Sequence, residues 1–343
     1  MVNAKKSAHA IKSVCLMKEH FFRCVIGILL LVLYNNVAIS QAVQFGGDKL
    51  QWEVGLNIGP NFFFGDMGGN RGLGQRFIKD INLSMTTLNK GVYVTAYPVD
   101  WLGIRAVAQF GSITAADNVI KNHSGEELFR KQRNLDFKSK LTEAYIGAEI
   151  YPLQLLFNSY GDYNPRLMPY GLIGIGVFHF NPQGSLTDAN GNKTWYYLRP
   201  LHTEGEGFSE FPNRKEYSLT QMNIPIGIGL KYWINDRINI STEITFRKTF
   251  TDYIDDISTT YIDPSLFDKY LSPQNAAIAK QIFDKSGNIV ADPRLASGYS
   301  TGDKRGDPTH NDSWVTTFLK FGWRFTSNPD RNLLKRMSCP TRF

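Results

Sequence analysis

Cysteine is scarce in this 343-residue chain: Cys15, Cys24 and Cys339 are all it has. The first two fall in an N-terminal segment expected to be removed, so the remainder can form no internal disulfide and no cysteine-based zinc site within one chain. Long apolar runs are missing too. The longest, Cys24 to Tyr34 (CVIGILLLVLY), has eleven residues against the ~20 that an α-helix needs to span a bilayer, which excludes a helical membrane span. Charge is sparse at 20%. Residues 1–40 hold five of the 38 Lys/Arg and one of the 31 Asp/Glu, so the formal charge of +7 falls to about +3 without them. That leaves little of the basic stripe that a nucleic-acid partner would require.

What the N-terminus does have is ordered. Lys5, Lys6, Lys12, Lys18 and Arg23 precede the apolar run, and VAISQA follows it, with Ala38 and Ser40, or Ser40 and Ala42, as small residues at the positions a signal peptidase reads. Residues 1–40 are therefore predicted to be a cleaved export signal, with a barrel over 41–325 and a periplasmic tail over 326–343. The location expected is the outer membrane of a Gram-negative bacterium.

The remaining composition favours strands: aromatics reach 13%, with 30 Gly and 16 Tyr. A period of two recurs between turn-rich gaps. In WVTTFLKFGWRF, Val315, Leu319, Phe321, Trp323 and Phe325 alternate with Thr316, Lys320, Gly322 and Arg324; in MNIPIGIGLKYW, Met222 to Tyr232 alternate with Asn223, Pro225, Gly227, Gly229 and Lys231. INISTEITFR, TEAYIGAEI and the stretches near 52–58 and 102–110 repeat the pattern. Two further segments, about 91–98 and 168–180, are apolar on both faces and harder to phase. Eight strands result. The polar face carries Glu53, Arg105, Glu143, Glu149, Lys231, Glu243, Arg247, Lys320 and Arg324, a near-balanced set that would neutralise itself inside a barrel and would also be tolerated on a wetted sheet face. Connection lengths decide between these: long and short gaps alternate along the chain, as extracellular loops and periplasmic turns do. The fold expected is all-β, an eight-stranded antiparallel transmembrane barrel, with the nine charges as a lumen network. Pro225 sits awkwardly, since it removes a ladder donor and calls for a bulge or another irregularity. SLFDKYLSPQNAAIAKQIFDK at 265–285 reads as a surface helix broken near Pro273.

Chemistry is thinly represented. An eight-stranded barrel encloses room for side chains only, which argues against a diffusion pore. His123, His179, His202 and His310 are the histidines beyond the signal; His179, at a strand end, is the best placed for a hydrolase, yet no local partner accompanies it. GDMGGNRGLG lacks the Lys-Ser/Thr of a phosphate loop, TEGEG at 203–207 reads as an unspecific acidic loop, and Asp252, Asp255 and Asp256 lack the spacing of a calcium loop. No catalytic residue, cofactor or metal site is predicted.

RKTFTDYIDDISTTY resembles the signature of the PorG-like outer-membrane barrel family associated with the type IX secretion system. GPNFFFGDMGG, IKDINL, LGIRAVAQFGSI, RNLDFKS, PYGLIGIGVFHFNP and TEGEG agree in order, over roughly residues 50–326. The resemblance implies a non-enzymatic barrel that anchors or assembles a periplasmic ring built from a PorK-like lipoprotein and a PorN-like protein. With it, Thr249, Thr251, Asp252, Tyr253, Asp255 and Asp256 read as a signature loop that orders the extracellular rim; what its acids bind, a surface cation included, the resemblance leaves open. The alternatives are a lipid-modifying barrel enzyme and a surface binder acting through long loops.

Overall fold

A computed structural model describes residues 50–68, 83–120, 127–157, 165–288 and 299–325. The predicted signal, the 326–343 tail, His123 and most of the glycine-rich and IKDINL stretches lie outside these residues.

The strands are β1 (Gln51–Phe64), β2 (Thr87–Val99), β3 (Leu102–Ala116), β4 (Asp136–Ile150), β5 (Leu167–His179), β6 (Pro182–Thr187), β7 (Lys193–Tyr197), β8 (Thr220–Trp233), β9 (Ile238–Thr249) and β10 (Ser313–Arg324). Eight of them pair antiparallel in sequence order, β1-β2-β3-β4-β5-β8-β9-β10, and β10 returns to β1 from Glu53↔Arg324 to Phe64↔Ser313. The ladder is thus a closed eight-stranded barrel without a free edge. Hairpin β6–β7 extends one end of it through a short pairing of β6 with β4. The connections 100–101, 151–166 and 234–237 lie at the end where the chain enters and leaves; 65–86, 117–135, 180–219 and 250–312 lie at the other. In barrels of this type the short turns are periplasmic.

Alternation sorts the faces. Leu56, Ile146, Ile175 and Ile228 on the outside are each more than 60% exposed, in company with Leu88, Val92, Ile173, Ile226, Ile244, Phe321 and Trp323. So wide an apolar belt is untenable in water and suits hydrocarbon. Inside, the two segments that are harder to phase place Tyr93, Tyr97, Met168, Tyr170 and Leu172 inward. Glycines make room for these rings: a β-carbon at Gly55 would stand 2.3 Å from the Tyr93 ring, and one at Gly229 2.3 Å from that of Tyr170. Pro225 needs no bulge. The β5–β8 register is the same on either side of it, from Ile173↔Ile226 to Gly176↔Asn223, and the ladder simply lacks two pairs between them, as expected of a residue with no N–H.

The long connections do not stay loops. With helices α1 (Glu127–Arg133), α3 (Ser265–Tyr270) and α4 (Pro273–Phe283) they fold into a cap with its own core, in which Phe137, Phe180, Leu201, Ile254, Ile257, Phe267, Ala279 and Ile282 are buried together and continue down to Phe178 and Trp314 in the barrel mouth. The expected surface helix is therefore two helices with buried faces. Ser272 caps α4 by accepting from the Asn275 N–H, and Pro273 occupies its first turn, where a missing donor costs nothing. Helix α2 (Pro152–Phe157) lies in a periplasmic turn.

Candidate functional site

Two polar regions stand out, one in the lumen and one in the cap. Because residues two apart in a strand share a face, the eight strands deliver Glu53, Glu143, Glu149 and Glu243 to the lumen together with Arg105, Lys231, Arg247 and Lys320. All eight are buried, and Arg324 sits partly buried at the periplasmic mouth. Glu243 accepts from Arg105 at 2.6 Å, Lys320 at 3.0 Å, Tyr170 at 2.7 Å and Thr245 at 2.8 Å. Arg105 also pairs with Glu149. Lys231 bridges Glu53 at 3.2 Å and Glu149 at 3.6 Å, while Tyr93 and Tyr97 donate to Glu53. One layer outward, Glu143 accepts from Asn223 at 2.6 Å and lies 3.4 Å from Arg247. Four carboxylates thus face four cations in a space too narrow for bulk water, so the charges neutralise one another and block the bore. At the periplasmic mouth Arg324 stacks over Trp233 at 4.0 Å. A cavity of about 20 Å³ lined by Tyr97, Asp100, Tyr151 and Trp233 has room there for about one water.

The signature loop follows β9 at the cap end of the barrel, and its side chains are turned inward there. Thr249, Thr251, Asp252, Asp255 and Asp256 are buried in the cap, and Tyr253 is partly buried. Thr249 donates to the Asp312 carbonyl, and the Thr251 hydroxyl accepts from the Tyr253 N–H. Tyr253 stacks on Tyr217 at 5.0 Å, and Tyr217 on Phe180 at 6.1 Å. Asp256 adopts a left-handed backbone (φ 66°), a region that Asp tolerates better than most residues. It is held there by Thr203 and Tyr217, each donating to its carboxylate at 2.6 Å.

TEGEG, read from sequence as an unspecific loop, is the buried counterpart of this turn. Glu204 accepts from the Ser258 and Thr259 N–H groups at 3.0 and 2.8 Å, from the Thr259 hydroxyl at 2.7 Å and from Arg305 at 2.9 Å. Gly205 and Gly207, both at positive φ, turn the chain around it. Arg133, first residue of RNLDFKS, chelates Asp117 at 2.8 and 3.0 Å and donates to the Asp66 and Arg305 carbonyls. Nothing local in the sequence marked Glu204, Arg133, Arg305 or Asp312 as a set; their partners are brought from other loops.

Around Asp252 negative charge accumulates. Asp66, Asp252, Asp255 and Asp312 come from three separate chain segments. Burial, with the charges of Asp66 and Asp255 added, pushes the Asp252 carboxyl up to about 9 against a smaller pull from the Ser258 hydroxyl. Burial raises Asp255 and Asp312 well above the carboxylate range, Asp66 adding to the first and Asp255 to the second. Asp256 is pushed up to about 6 by burial, with Arg305 opposing. Burial and the neighbouring Asp256 likewise raise Glu206.

Among the described residues no histidine bonds to the side chains of Asp66, Asp252, Asp255 or Asp312. His179 Nδ1 is 3.0 Å from the Thr220 hydroxyl, His202 Nδ1 is 2.7 Å from the Glu206 carbonyl, and His310 contacts Thr309 and Asp307.

No protein-family model and no curated protein matches the chain. Among solved structures it is similar to Ail, the attachment invasion locus protein of Yersinia pestis, determined with the heparin analogue sucrose octasulfate (9% identity, 81% of this chain and all of that one, TM-score 0.32). It is likewise similar to Neisserial surface protein A (9%, 81% and 100%, 0.32) and to a major outer membrane protein of Thermus thermophilus (10%, 81% and 100%, 0.35). At these identities and scores the likenesses carry no argument about function. The eight-stranded, outer-membrane type of barrel rests on its own closed ladder and apolar belt.

Proposed function

We propose that this protein is a non-enzymatic outer-membrane component of the type IX secretion system, exported by a cleaved signal, that anchors or assembles a periplasmic ring. The observation that supports the reading is the filled lumen. With Glu243, Arg105, Glu149 and Lys231 bonded across the bore, the barrel has no passage for cargo, and its two ends are what it can offer to other molecules. The PorG-like signature then favours the periplasmic end, where PorK- and PorN-like proteins are the expected partners, and the short turns and the 326–343 tail are the proposed contact segments. Recovery of the tagged protein from gently solubilised outer membranes, with its companions identified by mass spectrometry, tests this: ring proteins should co-purify, and a barrel recovered alone would refute it. A second reading, a surface binder, is favoured by the cap, because loops already folded around a core can bind without losing much conformational freedom. Deleting residues 265–283 would abolish surface binding in that case and leave ring recovery unchanged in the first.

A further inference from the structure

We propose that the cap holds a divalent cation of the calcium type between Asp252 and Asp312, beneath the signature turn. The first ground is an uncompensated excess of carboxylates, Asp252, Asp255 and Asp312 buried and Asp66 partly buried. Asp66 enters from the loop after β1, Asp252 and Asp255 from the start of the 250–312 segment, and Asp312 from its end. Arg133, whose charge reaches Asp66 and Asp255, is already paired with Asp117 at 2.8 Å and meets Asp66 only at its main-chain carbonyl. Arg305 is engaged by Glu204 at 2.9 Å. Buried carboxylates without a counter-charge are costly unless something neutralises them.

The second ground is independent of charge. Buried polar atoms are almost always bonded, and the bonding in this quartet is uneven. Asp255 is satisfied, one oxygen accepting from the Met67 N–H at 3.0 Å and the other from the Ile257 N–H at 3.1 Å. Asp66 accepts from the Asp307 N–H at 2.6 Å. Asp312 accepts from the Ile254 N–H with Oδ2 alone. Its Oδ1 and both oxygens of Asp252 have no partner in hydrogen-bond geometry, the Ser258 hydroxyl standing near Asp252 without closing such a bond, although the two residues are only 1% and 7% exposed. The three free oxygens therefore belong to two carboxylates whose backbones are tied together, the Asp312 N–H donating to the Thr251 carbonyl at 3.0 Å.

Oxygen-only donors select a hard cation. Among the described residues no three acidic, histidine or cysteine side chains stand in ligand geometry. The remaining coordination would thus come largely from main-chain carbonyls in this buried place, which suits the larger and more adaptable calcium ion, whereas magnesium gives up its waters reluctantly and needs a near-ideal octahedron. Asp66 and Asp255 would add charge from one layer out. The ion would fasten both ends of the 250–312 segment beside the loop after β1, which gives the signature acids a physical task.

The full-length protein, purified in detergent with a chelator and then freed of it, is titrated with calcium chloride by calorimetry and by thermal unfolding. The result expected is one saturable site per chain and a rise in Tm of roughly 5 °C at a hundredfold excess over Kd, with magnesium much weaker. Asp252→Asn and Asp312→Asn should each weaken binding by at least about tenfold, the effect of some 1.4 kcal/mol. The chelated variants should unfold no earlier than the chelated parent, since each removes repulsion. Asp236→Asn, on an exposed turn, should bind as the parent does. Absence of saturable binding by the parent, or binding unchanged in both variants, overturns the proposal and leaves protons as the neutralising agent. Should one variant fail to fold, the parent titration and the other variant still decide.

Discussion

Replacing Glu243 by Gln should unfasten the lumen. The carboxylate accepts four hydrogen bonds, two of them from cations, Arg105 at 2.6 Å and Lys320 at 3.0 Å, and both it and Lys320 are almost wholly screened from water. Gln keeps the volume, removes the charge and turns an NH2 group toward donors, so three carboxylates are left to balance four buried cations. Breaking a buried ion pair from one side costs about 3–5 kcal/mol because the partner's charge is stranded. The same loss in a surface pair such as Lys280–Asp268, whose side chains are 39% and 61% exposed, is worth less than about 1 kcal/mol. Reversible urea unfolding in phospholipid vesicles, followed by tryptophan fluorescence and by the mobility of unheated samples on gels, measures the difference. Adding Lys320→Met to Glu243→Gln should recover a substantial part of the loss, since it removes a stranded cation. A cost under about 1 kcal/mol for Glu243→Gln alone, comparable with a surface pair, would refute the reasoning and imply that water fills the lumen and screens its charges.

Other outcomes follow from the same geometry. The cap should loosen with rising pH when divalent ions are chelated. Asp256 and Asp252 have folded values of about 6 and about 9, above the ~3.9 of an unfolded chain. The stability they contribute is complete below pH ~4 and is lost as pH rises through those values. Asp66, Asp255 and Glu204 bring negative charge to Asp252, and Arg305 brings positive charge to Asp256. Amide exchange at Ile254 and Ile257 should speed up between pH 5 and pH 9 beyond the intrinsic chemical dependence, and protection that is constant after that correction would contradict it. In planar bilayers the purified barrel should give no steady conductance, whereas regular porin-like steps would show that the lumen network opens.

Much of the barrel was legible because its signal is local. Alternation such as Leu319, Phe321 and Trp323 against Lys320, Gly322 and Arg324 needs no tertiary information, and neither does the alternation of long and short connections. The phase failed where the lumen is built from Tyr93, Tyr97, Tyr170 and Leu172, because an interior that buries rings looks as apolar as an exterior that meets lipid. Pro225 was legible as an anomaly, and its solution, two missing ladder pairs without a register shift, depends on a partner strand. The cap was hidden for a different reason. Glu204 is buried by Ser258, Thr259 and Arg305, and Asp255 by Met67, all supplied from other loops, so nothing near TEGEG or the signature turn distinguishes a structural acid from a solvated one. Hairpin β6–β7 was missed because its strands are short and lie within a stretch rich in Gly, Asn and Asp.

The anchoring role is tested most directly by capturing the tagged, full-length protein from native outer membranes after brief cross-linking, with quantitative mass spectrometry against an untagged control. The account predicts enrichment of a PorK-like lipoprotein and a PorN-like protein, cross-linked to the 151–166 and 234–237 turns or to residues 326–343. A barrel recovered without them, or cross-linked to partners only through the cap, would contradict it.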